Sequence, residues 1–117
     1  MSVNIKMGKY GEELAVEFLL NKGHNILARN YRFKKSEIDI ITLCNNILIF
    51  AEVKTRTSDD YGYPETFVGH NQKEKIFEGA LHYIEEQKWT GNVRYDIVSV
   101  NLSVTPADIQ HFEDAFY

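Results

Sequence analysis

Residues 37–54, Glu37-Ile38-Asp39-Ile40-Ile41-Thr42-Leu43-Cys44-Asn45-Asn46-Ile47-Leu48-Ile49-Phe50-Ala51-Glu52-Val53-Lys54, read as two strands joined by a tight turn. Asn tolerates positive φ, so Asn45-Asn46 suits a two-residue hairpin turn. Residue 44 then faces residue 47, and every facing pair sums to 91. Ile47-Leu48-Ile49-Phe50-Ala51 is a continuous apolar run, the pattern of a strand covered on both faces. The register sets Asp39 opposite Glu52 and Glu37 opposite Lys54, and period-two alternation sends all four side chains to one face. Facing Cβ atoms lie roughly 4.5–5.5 Å apart, where two like charges destabilise a sheet. A hard divalent cation between Asp39 and Glu52 reverses the sign of that interaction. Lys54, beside the same spot, is placed to hold an attacking water or a phosphate oxygen. Two carboxylates completed by waters and substrate phosphates suit Mg²⁺, with Mn²⁺ as substitute, and the Val53 carbonyl is a further candidate ligand. A solvated salt-bridge ladder accounts for Glu37 and Lys54 but leaves Asp39 and Glu52 repelling each other.

Upstream, Ile5 to Lys22 reads as a helix, with Met7, Leu14, Ala15, Phe18 and Leu19 on one face and Gly23 as its stop. Gly8 and Gly11 inside it cost roughly 1 kcal/mol each against Ala, which points to a close backbone approach or a late start. Glu13 and Glu17, one turn apart, read as solvated. His24 to Phe33 is extended. Downstream, Arg56 to Gly69 is a polar loop. Asn71, with Glu74 as its capping-box partner, starts a second helix with Ile76, Phe77, Ala80, Leu81 and Ile84 as its buried stripe. Thr90-Gly91 ends it, with Trp89 packing at the rim. Arg94 to Leu102 is a strand, and Thr105-Pro106 opens a short last helix. The helix between the third and fourth strands is a crossover, which makes them parallel. The expectation is an α/β fold, a mixed sheet flanked by helices in the order α-β-β-β-α-β with a short C-terminal helix, forming one domain over residues 1–117.

The 117 residues carry a formal net charge of −4, which weighs against a purely electrostatic nucleic-acid binder. The charges are uneven: Arg29, Arg32, Lys34 and Lys35 form a cationic stretch without an acid, and Asp108, Glu113 and Asp114 an acidic end. One cysteine, Cys44, excludes an internal disulfide and a Cys-based zinc cluster. No run of eighteen apolar residues offers a membrane span and no secretory signal opens the chain, so a cytoplasmic domain with a reduced, half-buried Cys44 is expected. His24, His70, His82 and His111 show no metal-ligand spacing and read as surface or helix residues; His70 alone sits at a helix start, where phosphate is favoured. Tyr61-Gly62-Tyr63-Pro64, in the loop after the acids, offers rings that can stack on unpaired bases or pack within the loop.

Several segments resemble one bacterial family. Gly8-x-x-Gly11-Glu12-x-x-Ala15, Arg29-Asn30-Tyr31-Arg32, Glu37-Ile38-Asp39, Phe50-Ala51-Glu52-Val53-Lys54-Thr55-Arg56, Lys73, Arg94-Tyr95-Asp96 and the ending His111 to Phe116 are similar to motifs of the YraN-type family of uncharacterised proteins. Ser36 stands where that family has Gly, and Ala51 where it has Val. The family in turn resembles PD-(D/E)xK nucleases of the archaeal Holliday-junction resolvase type, with a restriction-endonuclease-like core. The resemblance implies that Glu12, Asp39 and Glu52 are acidic metal-site residues and Lys54 the catalytic lysine. It implies that Glu37 supports the site by orienting Lys54, and that Arg56 and Lys73 touch phosphates. The resulting expectation is a Mg²⁺-dependent endonuclease acting on branched or structured DNA, with Arg29, Arg32, Lys34, Lys35, Arg56 and Lys73 positioning the backbone, no nucleotide cofactor, no membrane, and a homodimer to cut two strands. The alternatives are a non-catalytic nucleic-acid-binding or assembly module that keeps the nuclease fold, and a structural partner protein whose acids form ion pairs.

Overall fold

The computed structural model describes residues 3–57 and 69–116, and of residues 3–7 the backbone alone. The Tyr61-Gly62-Tyr63-Pro64 segment lies outside the described residues, as does the side chain of Met7. The elements are α1 (Val3–Asn21), β1 (Asn25–Phe33), β2 (Ser36–Cys44), β3 (Ile47–Arg56), α2 (His70–Gln87), β4 (Asn92–Asn101) and β5 (Asp108–Phe112). The five strands form one mixed sheet in sequence order: β1, β2 and β3 are antiparallel, β3 and β4 parallel, and β4 and β5 antiparallel.

The turn chemistry sets the hairpin. Asn45 and Asn46 both adopt positive φ, 52° and 63°, and the β2–β3 pairs run from Cys44↔Ile47 to Ile40↔Ala51 in the expected register. The helices bury opposite faces of the sheet. Ala15, Val16 and Leu19 of α1 pack on Ile40, Ala51, Val98 and Val100. Ile76, Ala80 and Tyr83 of α2 pack on Ile38, Ile41, Leu48, Phe50 and Ile97. At about 25 cal/mol per Å² of apolar surface, these two layers are the main source of stability. Gly11 lets α1 settle on β3: a Cβ there would lie 2.0 Å from Thr55 Oγ1. Gly8 has open space instead.

Ile38 and Ile40, two apart on β2, enter opposite cores. Strict alternation would place them together. The change of phase falls at Asp39, between the pairs Arg29↔Ile40 and Tyr31↔Ile38, and Asn30 on β1 meets it with φ 52°. Asn is one of the few residues that adopt that conformation readily.

Two expectations at helix ends are corrected. Asn71 is not the cap of α2: Gly69 holds that position without a side-chain hydrogen bond, and Asn71 sits inside the first turn. The helix ends before Thr90-Gly91, where Lys88 turns left-handed at φ 54°. The expected short C-terminal helix is a strand, β5. Thr105-Pro106, a cis peptide, lies in the connection before it rather than at a helix start. What decides this is pairing with β4 and the Asp96 carboxylate, both distant in sequence. Asp96, 0% exposed, accepts hydrogen bonds from Arg94 Nε (2.8 Å) and Nη2 (2.9 Å), His111 Nε2 (2.8 Å) and the Asp114 backbone N–H (3.0 Å). Burial alone would raise its carboxyl, but these donors outweigh it and hold it near 2. Two of the four histidines are therefore internal rather than on the surface. The His111 side chain is 2% exposed, and buried His24 rests against its ring and bonds Thr42 Oγ1 at 2.9 Å.

Candidate functional site

The β2–β3 ladder ends at Ile40↔Ala51, and the two strands then part. Just past that point the Asp39 carboxylate takes the place of a backbone partner: the Val53 N–H donates to Asp39 Oδ2 at 2.8 Å. Glu52 lies beside it, 9% exposed. Burial and the Asp39 charge push Glu52 up to about 9, with Lys54 opposing. Asp39 is raised by burial as well, against the pull of the Val53 N–H. Glu52 Oε2 is buried and meets no donor among the described residues. A buried oxygen without a donor, next to a second carboxylate, is the environment a bound cation would relieve. The residues present therefore fit a divalent ion.

The sheet end divides the remaining candidates between its faces. Gln72 Nε2 donates to Glu52 Oε1 at 3.2 Å, and Lys54 Nζ donates to Gln72 Oε1 at 3.3 Å, so Glu52 and Lys54 face α2. Glu37 turns away toward α1, with Arg32 Nη2 at 3.4 Å from Glu37 Oε2. The expected quartet on one face is thus corrected by the phase change at Asp39, and Gln72 rather than Glu37 holds Lys54. Glu12 sits on the Glu37 side. With its amide nitrogen toward the acids, Asn30 donates to Glu12 Oε1 (3.0 Å) and Glu37 Oε1 (3.3 Å). Burial and the nearby Asp39 raise the Glu12 carboxyl, with Arg29 opposing. Gly8, Lys9, Glu12, Arg29, Asn30 and Glu37 line an open cleft of about 680 Å³ there. Among the described residues no three His, Cys, Asp or Glu side chains converge to hold a metal unaided. Asp39 and Glu52 could supply two ligands to such an ion, leaving the rest to water and substrate oxygens, the usual habit of Mg²⁺.

The cations surround this end of the molecule unevenly. Arg29 is bound to Glu13 at 2.8 Å, so Glu13 is paired rather than merely solvated. Arg32 is 75% exposed, Lys34 covers the Phe33 ring at 5.3 Å, and Lys35 is exposed in the same turn. Arg56 and Lys73 are half-buried, at the end of β3 and in the first turn of α2. Gln72 escaped the sequence reading, and Asn30 entered it only within the Arg29-Asn30-Tyr31-Arg32 resemblance, because an amide carries no charge pattern. The one signal was Asn30 itself, a residue suited to positive φ in the middle of a strand.

The uncharacterised protein family UPF0102 matches residues 11–100. A UPF0102 protein of Christiangramia forsetii is 42% identical over 117 residues, covering 100% of this chain and 98% of the relative. One from Thermodesulfovibrio yellowstonii is 41% identical over 113 residues, covering 97% of each. Among solved structures, Pyrococcus furiosus SfsA in complex with Ca²⁺ superposes with a TM-score of 0.36 at 14% identity, covering 94% of this chain and 63% of that longer one. So loose a superposition carries no argument about chemistry. Among the described residues no helix is long and apolar enough to cross a membrane.

Proposed function

The chain belongs to the UPF0102 family of uncharacterised proteins, and from that premise we propose that it is a divalent-metal-dependent endonuclease that hydrolyses phosphodiester bonds in DNA, branched or structured DNA in particular. The observation that carries the reading is the carboxyl pair of half-buried Asp39 and buried Glu52, with a donor-less oxygen on Glu52, at the parting of two strands. Asp39 and Glu52 would hold Mg²⁺ or Mn²⁺, with Glu12 the adjacent acid. The ion would supply charge neutralisation at the phosphate and acidify a water. Asp39, pinned by the Val53 N–H, keeps its carboxylate oriented without help from substrate. Lys54, anchored to Gln72, presents its ammonium to the phosphoryl oxygen on which charge develops, or orients the water. Arg29, Arg32, Lys34, Lys35, Arg56 and Lys73 would position the phosphate backbone without reading bases.

The net charge of −4 favours a second reading, a binding or assembly module without turnover. Supercoiled plasmid and four-way-junction DNA incubated with Mg²⁺ or Mn²⁺ separate the two. Endonuclease action predicts nicking or resolution that Glu52→Ala and Lys54→Ala reduce by roughly 100-fold or more, the usual scale for groups acting on the transition state. Cleavage that survives both substitutions refutes the assignment. DNA binding that weakens with salt yet ignores Mg²⁺ and Asp39→Asn establishes the module instead.

A further inference from the structure

We propose that Gln72 selects the cation: by occupying one oxygen of Glu52 it leaves a one-oxygen donor, and so favours a small octahedral ion such as Mg²⁺ or Mn²⁺ over Ca²⁺. The inference rests on the Asp39–Glu52 site proposed above. Both ends of the Gln72 amide are engaged. Its oxygen accepts from Lys54 Nζ at 3.3 Å, so its nitrogen is the end that faces Glu52, donating to Oε1 at 3.2 Å. That leaves Oε2, buried and without a donor, as the oxygen Glu52 can offer. Asp39 is restricted in the same way, since its Oδ2 accepts the Val53 N–H at 2.8 Å and a backbone donor cannot swing aside. Each engaged oxygen keeps a second lone pair, but the donor fixes its direction, so the pair presents one unrestrained oxygen from each acid. Ca²⁺ takes 6–8 oxygens at about 2.3–2.6 Å and readily uses both oxygens of a carboxylate, whereas Mg²⁺ demands near-octahedral geometry at about 2.0–2.1 Å and keeps its waters. Of the two restraints, Gln72 is the side-chain one and can be removed. It is half-buried in the first turn of α2, whereas that helix's buried residues are Ile76, Gly79, Ala80 and Tyr83.

Calorimetric titration of the full chain with Mn²⁺ and with Ca²⁺ tests this, comparing the unaltered protein with Gln72→Met, Gln72→Ala and Asp39→Ala. The unaltered protein is expected to prefer Mn²⁺. Both Gln72 variants should narrow the Mn²⁺/Ca²⁺ affinity ratio by about 10-fold or more, the scale seen when a group orienting a metal ligand is removed. The change should come mainly from tighter Ca²⁺ binding at an unchanged thermal midpoint, and Asp39→Ala should abolish binding of both ions. An unchanged ratio in both Gln72 variants, with Asp39→Ala still abolishing binding, overturns the role of Gln72 and leaves the site standing. Binding that ignores Asp39→Ala, or no binding by the unaltered protein, overturns both.

Discussion

Asp96 shows how one buried charge organises a chain end. Its carboxylate is fully enclosed and accepts from Arg94, His111 and the backbone of Asp114, so β4 and the residues after β5 are joined through a single group. Lys22 Nζ, donating to His111 Nδ1 at 2.7 Å, adds the end of α1 to the same network. Removing one partner of a buried pair leaves the other charge uncompensated, at a cost of roughly 3–5 kcal/mol. Asp96→Ala should lower the free energy of unfolding by about that much in urea, and far more than Glu113→Ala, whose carboxylate is 54% exposed and 3.5 Å from Arg94. Equal effects from the two substitutions would contradict the assignment. The resemblance motifs Arg94-Tyr95-Asp96 and His111 to Phe116 thus meet in a structural clamp, on residues that the proposed chemistry does not use.

Between elements, α1 approaches β3 closely at Gly11. Ala at this position would gain helix propensity of roughly 1 kcal/mol but place a Cβ 2.0 Å from Thr55 Oγ1. Overpacking costs typically 1–3 kcal/mol, so Gly11→Ala should destabilise while Gly8→Ala, with open space around it, should stabilise slightly. Thr55→Ala should rescue much of the Gly11→Ala loss in a double-mutant cycle, and additive losses would argue against the contact. Elements whose signals are local were legible in the amino acids. The Asn45-Asn46 turn, the apolar run of β3 and the α1 periodicity placed the hairpin, the parallel β3–β4 pair and the meeting of Asp39 with Glu52. What escaped depends on distant chain. The phase change at Asp39 needs Asn30 opposite it, the Gln72 contact needs α2 folded over β3, and Thr105-Pro106 matches a helix start until β4 claims Asp108–Phe112 as a neighbour.

For the molecule as a whole, the two groups of buried acids bend stability with pH in opposite senses. Folded Glu52 keeps its proton up to about 9, against an ordinary value of 4.5, so between those limits the folded chain binds more protons than the unfolded one and stability falls as pH rises. Asp96 stays ionised down to about 2, against an ordinary 3.8, so the stability it contributes is present above 3.8 and is lost as pH falls toward 2. Thermal midpoints measured in chelator should therefore decline as pH rises from 4.5 to about 9, and either Mn²⁺ or Glu52→Gln should flatten that decline. A decline of the same steepness in Glu52→Gln would assign it elsewhere. The margins of the sheet have a consequence of another kind. On one side β1 carries a register slip between Ile26 and Ala28 and a left-handed Asn30; on the other, β5 is five residues long. Among the described residues, both flanks are therefore poor templates for an incoming strand, which discourages the ribbon from lengthening by recruiting neighbours. Fibre-like stacking is thus discouraged by the backbone itself.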